Sequence, residues 1–170
     1  MCQHHHHDHH DSHEHHCCGK CGGHCGCHSL TLTEREQAFV RCLAQMPFLP
    51  VARFLLRSTK SEHLESVALA PAYILDAEDT MEHVKETGAV LHELEEKGLI
   101  TLDYDVPLQN YDYQVYFHSA VYQSFQQTVE EAKTRPDFLY NIGIMELGSI
   151  ALTQRGYEIA DRLKSATSIA

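Results

Sequence analysis

Residues 30–170 carry apolar positions in runs of recognisable period, whereas residues 1–28 hold no Leu, Ile, Val, Phe, Tyr or Trp. In TLTEREQAFVRCLAQM, Thr33 and Glu36 stand at capping-box spacing. Phe39, Cys42, Leu43 and Met46 then recur with helical period, so a helix is expected, ended by PFLP. A short second helix is expected over residues 50–57, with Pro50 in its first turn. The apolar SVALAPAYI reads as β, with Pro71 limiting its pairing. Asp79 and Glu82 mark a further helix start. That helix is expected to run to Lys97, with Met81, Val84, Leu91 and Leu94 on its inner side, Gly88 at a close packing point and Gly98 as its stop. LITLDYDV alternates as a half-buried strand does. YDYQVYF alternates enough to read as another. SAVYQSFQQTVEEAKTR reads as a helix through Tyr122, Phe125 and Val129, while RPDFLYNIGIMELG fits neither period. SIALT reads as a short strand. Thr153 then caps a last helix striped by Tyr157, Ala160 and Leu163.

The pattern divides the chain into a tail, 1–28, and an α+β domain, 29–170. Without core-forming side chains, the tail cannot offset the entropy of ordering itself, so disorder is expected there in the absence of metal. The rest is long enough to bury a core of its own. No apolar run approaches the ~18 residues of a membrane span. No leader precedes a small-residue cleavage site. No membrane association is expected, and the cytoplasm is the expected compartment.

The order helix, short helix, helix, strand, excursion, strand, helix is joined by two local signals. LHELEEKGLI, residues 91–100, resembles the end of a recognition helix running into the first strand of a wing. IALTQRGYEIAD, residues 150–161, resembles a second wing strand followed by an L-T-x-x-G helix start. Both resemble the winged helix-turn-helix transcriptional regulators of the MarR and PadR kind, most clearly over 30–57, 79–105 and 148–165. The resemblance implies a winged helix-turn-helix domain with residues 107–146 inserted between the wing strands. It also implies a third helix, Thr80–Lys97, in the DNA major groove, and a homodimer paired through the terminal helix, Tyr157–Leu163.

Charge bears on that implication. The formal net charge is −11, of which the tail contributes −2 and the remainder −9. The third helix sets Glu82, Glu86, Glu93, Glu95 and Glu96 against Lys85 and Lys97, and it has no Arg, Asn or Gln to read base edges. The candidate DNA contacts are Arg53, Arg57, Lys60 and Lys85, with Arg135, Arg155 and Arg162 as possible additions to the basic set. On a helix, Arg53 and Arg57 would lie one turn apart.

The distinctive chemistry is in the tail, which holds 11 of the 15 histidines and six of the seven cysteines. An expression tag is usually an unbroken six-histidine run with a linker. Here Asp8, Asp11, Ser12 and Glu14 interrupt the run, and a cysteine-rich segment follows directly. His4, His5, His6, His7, His9, His10, His13, His15 and His16, among carboxylates, suit Zn²⁺, Ni²⁺, Cu²⁺ or Co²⁺. Cys17, Cys18, Cys21, His24, Cys25, Cys27 and His28 add thiolates, which favour Zn²⁺ or Cu(I). The glycines at 19, 22, 23 and 26 let so short a chain close around an ion. The ligand pairs are too close for a folded zinc finger between them, so a multi-ion chelator is expected, with Zn²⁺ the leading ion. If Met1 is removed, the terminus Cys2-Gln3-His4 can wrap Cu²⁺ or Ni²⁺ in a tetragonal site.

His63, His83, His92 and His118 lie in the domain at spacings poor for one shared ion. No nucleophile–base pair, phosphate loop or dinucleotide fingerprint is present, so no enzymatic activity is expected. Two readings remain. The leading one is a metal-responsive transcriptional regulator that binds double-stranded DNA. The other is a metal storage or delivery protein whose domain docks a protein partner or a second subunit.

Overall fold

The computed structural model describes residues 30–167. The chain divides into two units, Met1–Thr31 and Leu32–Ala170, and the elements below lie in the second. Their order is α1 Glu34–Gln45, β1 Phe48–Arg57, β2 Glu65–Ala72, α2 Met81–Glu96, β3 Ile100–Asp103, α3 Gln114–His118, α4 Ala120–Ala132, β4 Ile142–Leu152 and α5 Gln154–Thr167. The strands form one antiparallel sheet in the order β2-β1-β4-β3. The class is α+β. None of the described helices is long and apolar enough to cross a membrane.

The capping signals act as expected. The Thr33 hydroxyl accepts from the Glu36 N–H at 3.3 Å, and the Glu36 carboxylate accepts from the Thr33 N–H at 2.7 Å. Gly98 closes α2 with φ of 68°, in the left-handed region that glycine enters freely. The N-cap of α2 is Thr80, whose hydroxyl accepts from the His83 N–H. Asp79 has a different task, accepting from the N–H groups of Leu75 and Asp76 to close the preceding loop. Gly88 is a contact point, as its spacing implied: a Cβ there would stand 2.6 Å from the Pro71 carbonyl oxygen of β2.

Residues 50–57 are not a helix but part of β1, and this is the main departure from the sequence reading. Val51, Ala52, Phe54 and Leu55 are all fully buried. A strand buried on both faces loses its alternation and becomes an apolar run that periodicity cannot tell from a helix. Pro50 is tolerated because β2 pairs with β1 only from Ala52 onward, so β1 has a strand on one side at that point. The helix-turn-helix unit is therefore not formed: a β1–β2 hairpin occupies the place of its first helix. The expected wing strands do pair, β3 with β4, from Ile100↔Leu152 to Asp103↔Ser149.

YDYQVYF is likewise not a strand. Tyr113 takes a left-handed conformation at φ 52°, and α3 follows. Its apparent alternation is that of Tyr111, Tyr113, Val115 and Phe117, whereas the two buried positions are Tyr113 and Tyr116, three residues apart. Their hydroxyls bond the backbone: Tyr113 donates to the Gly148 carbonyl at 2.6 Å and accepts from the Leu108 N–H at 2.9 Å. Tyr116 donates to the Pro50 carbonyl at 3.0 Å and accepts from the Ile74 N–H at 3.4 Å. The helix α4 forms as expected, capped by Ser119 and burying Phe125 and Val129. Of the ambiguous stretch before SIALT, residues 135–148, the last seven belong to β4, a single strand of 11 residues, and the others form the turn and loop that lead into it.

On one side of the sheet, Ala52 and Phe54 of β1 share a core with Tyr116 of α3 and with Val121, Phe125 and Val129 of α4. Val40 and Leu43 of α1, Leu91 and Leu94 of α2 and Ala160 of α5 are also fully or almost fully buried, and α1 packs on both α2 and α5. The L-T-x-x-G motif joins α5 to the turn after α2. The Thr153 hydroxyl donates to the Gly98 carbonyl at 2.7 Å and accepts from the Gly156 N–H at 3.0 Å. A Cβ at Gly156 would sit 2.1 Å from the Leu99 carbonyl oxygen.

Lys97, at the end of α2, forms an ion pair with Glu36, which is only 2% exposed. Burial alone would raise the Glu36 carboxyl pKa. The hydrogen bonds from Lys97 and the Thr33 N–H, with the Lys97 charge, outweigh it and hold the group below its ordinary value. A depressed folded-state pKa stabilises the fold above the ordinary carboxylate pKa, and that stabilisation is lost as pH falls through the folded value. Glu36→Gln is therefore expected to cost about 1–3 kcal/mol at neutral pH. Denaturant titrations should show this difference shrinking below about pH 4.

Candidate functional site

All sixteen candidate metal ligands (His4, His5, His6, His7, His9, His10, His13, His15, His16, Cys17, Cys18, Cys21, His24, Cys25, Cys27 and His28) lie outside the described residues. Among the described residues, no three His, Cys, Asp or Glu side chains are grouped to hold a metal ion. His63, His83, His92 and His118 are exposed and scattered over a loop, α2 and α3. His92 Nε2 lies 3.3 Å from Glu96 one turn on, and His118 Nδ1 lies 2.9 Å from the Gln114 carbonyl. Cys42 is half-buried on α1, as a small apolar residue on a helix stripe would be.

Two of the four candidate DNA contacts come together, on a strand and not on a helix. Arg53 and Arg57 share one side of β1, and β4 brings Glu146 opposite Arg53. Arg53 Nε bonds Glu146 Oε2 at 2.6 Å, and Arg57 Nη2 reaches Glu146 Oε1 at 3.3 Å. Arg57 Nε bonds Glu65 Oε2 of β2 at 2.6 Å. Hydrogen bonding to Glu65 and its charge, against some desolvation, raise the Arg57 pKa further. The Arg53 guanidinium also lies 4.9 Å from the centroid of the Tyr104 ring, a cation–π distance. Burial, and then the Glu95 charge, push the Tyr104 phenol up to about 12, with Arg53 opposing.

Two guanidiniums and two carboxylates sum to no net charge, so a phosphate at this site would have to displace Glu146 or Glu65. Lys60 is exposed in the β1–β2 loop. Lys85 is exposed on α2, beside a shallow depression with Pro71, Gly88 and His92. Neither lysine belongs to the arginine cluster. The other exposed side chains of α2 include Glu82, Glu86, Glu93, Glu95 and Glu96. Sequence reading missed Glu146 and Glu65 as partners because the link runs across strands: Arg53 and Glu146 are 93 residues apart.

No protein-family model matches the chain, and no curated protein matches it. Among solved structures, the chain is similar to an uncharacterized protein from the hydrocarbon-degrading marine bacterium Alcanivorax borkumensis SK2. The TM-score is 0.43 at 9% sequence identity, covering 79% of this chain and 87% of that one.

The cross-strand network has a measurable consequence. A double-mutant cycle with Arg53→Ala and Glu146→Ala is expected to give a coupling of about 0.5–1 kcal/mol, since both side chains are only partly withdrawn from water. Repeating the denaturation at about 1 M salt should reduce it.

Proposed function

We propose that the chain is a metal-binding protein of the storage or delivery kind, its His/Cys-rich segment taking ions as cargo and its α+β domain docking a partner. The observation that carries the metal reading is the crowding of 11 of 15 histidines and six of seven cysteines into the first 28 residues. Imidazole and thiolate are the donors that late first-row ions prefer, with Zn²⁺ the best match to the mixed set and Ni²⁺, Cu²⁺ and Co²⁺ matched by the imidazole half.

Two features favour storage or delivery over DNA-dependent regulation. Residues 50–57 are strand, so the helix expected to join α2 in a helix-turn-helix is replaced by β1. Arg53 and Arg57 are taken up by Glu146 and Glu65, while α2 is rich in carboxylates that phosphates repel. The regulator remains a second reading on one specific ground, the α2–β3–β4–α5 order with its paired wing-like strands.

Elemental analysis of the full chain, saturated with Zn²⁺ and dialysed, is expected to find several ions per chain. Deletion of residues 1–28 should remove nearly all of them while the circular dichroism of the domain is kept. A truncated chain with its full metal content would end the tail-centred reading. The imidazole-held fraction should dissociate as pH falls through about 6.5, where histidine takes up a proton, with thiolate-held ions released at lower pH. In the same preparations, retardation of promoter fragments at low salt would move the assignment to the regulator.

A further inference from the structure

The side of the sheet covered by α3 and α4 continues beyond those helices. Ala52 and Phe54 lie in the core beneath them. Pro50 and Phe48 extend the same side of β1 by strand alternation, opposite Ser149 and Ala151 of β4. Cover there comes from residues 106–111, which leave a groove of about 670 Å³ lined by Phe48, Val106, Pro107, Leu108, Tyr111 and Ser149 among others. Phe48 is 58% and Val106 55% exposed, although both are large apolar side chains that folding ordinarily buries.

The chain segment that supplies most of the groove's lining carries charged side chains that are all acidic, and Asp103 of that segment stands opposite the lining residue Ser149 in the sheet. Residues 98–113 include Asp103, Asp105 and Asp112 and no Lys or Arg, and all three aspartates are exposed. Asp112 directly follows Tyr111 of the groove lining in the chain. A second copy of the chain is a poor occupant, because residues 29–170 carry −9 and would bring like charge to like. The segment 1–28 is also a poor occupant, having Met1 as its one large apolar side chain. We propose that the groove is the docking site for a partner protein segment that combines apolar side chains with lysine or arginine: the first fill the groove, and the second meet the aspartates. This gives the delivery reading the partner surface it needs and rests on that reading for its purpose. Its test uses no metal, so either can fail alone.

The probes are two short synthetic peptides with leucines at the same spacing, one with lysine and one with glutamate at every polar position. They are titrated into the full chain in excess chelator and followed by fluorescence anisotropy and by amide chemical-shift mapping. The lysine peptide is expected to bind with shifts centred on residues 48 and 104–113, and the glutamate peptide to bind at least about tenfold more weakly. Phe48→Ser should weaken the lysine peptide about tenfold with the fold kept, since Phe48 is largely exposed, and Asp105→Asn should weaken it severalfold. Glu82→Gln with Glu93→Gln on α2 should leave it unchanged. Equal binding of the two peptides would overturn the proposal, as would no binding of either, shifts centred on α2, or indifference to Phe48→Ser. So would a Phe48-dependent dimer in sedimentation velocity without peptide.

Discussion

The pairing of β1 with β4 is the constraint on which the rest of the domain depends. It runs without a break from Phe48↔Ala151 to Arg57↔Ile142 and joins segments at opposite ends of the domain sequence. Closing so long a loop costs conformational entropy that no local contact returns. The return comes from apolar burial, with Val51, Ala52, Phe54, Leu55 and Ile150 all fully buried on the two strands. Once the pairing is made, β3 has a strand to join, Glu146 faces Arg53, and α3 and α4 have a surface to cover.

The tyrosines of the 107–146 excursion connect it to that pairing. Tyr116 bonds a carbonyl of β1 and an N–H just beyond β2, and Tyr113 bonds a carbonyl of β4. Each hydroxyl satisfies backbone groups that burial would otherwise leave costly. Burial raises the pKa of both phenols, so both remain neutral donors across the physiological range. The helices α3 and α4 of the excursion are thus a second layer on the sheet, while its residues 142–146 belong to β4 itself.

Sequence reading succeeded where the governing forces are local. Thr33 with Glu36, Gly98, and Thr153 with Gly156 each act within a turn or two of chain, and the ends of α1, α2 and α5 follow from them. It failed where strand partners decide. Residues 51–55 form a run, apolar but for Arg53, without a clean period because both faces of that strand are covered, and residues 142–148 show their strand character only through the pairing with β1. Asp79 and Thr80 differ by one position and exchange roles, since either side chain can cap. The candidate metal ligands, read from donor chemistry alone, lie in residues 1–28, outside the described residues. In the domain the candidate site was not legible, because the arginines that look free along the chain are neutralised by glutamates brought over on other strands.

The same neutralisation bears on what the domain can attract. Among the described residues, six of its twelve lysines and arginines are in ion pairs: Arg35 with Glu86, Arg53 and Arg57 with Glu146 and Glu65, Lys97 with Glu36, Lys133 with Glu130 and Lys164 with Asp161. Most of these pairs are exposed and contribute little to stability, but each cancels a positive charge that could steer a phosphate. The surplus that remains is carboxylate, and its field repels nucleic acid while raising the local concentration of hydrated cations and basic protein segments. The proposed docking of a basic segment at the groove draws on the same surplus, because opposite charge speeds encounter and sets orientation more than it adds affinity.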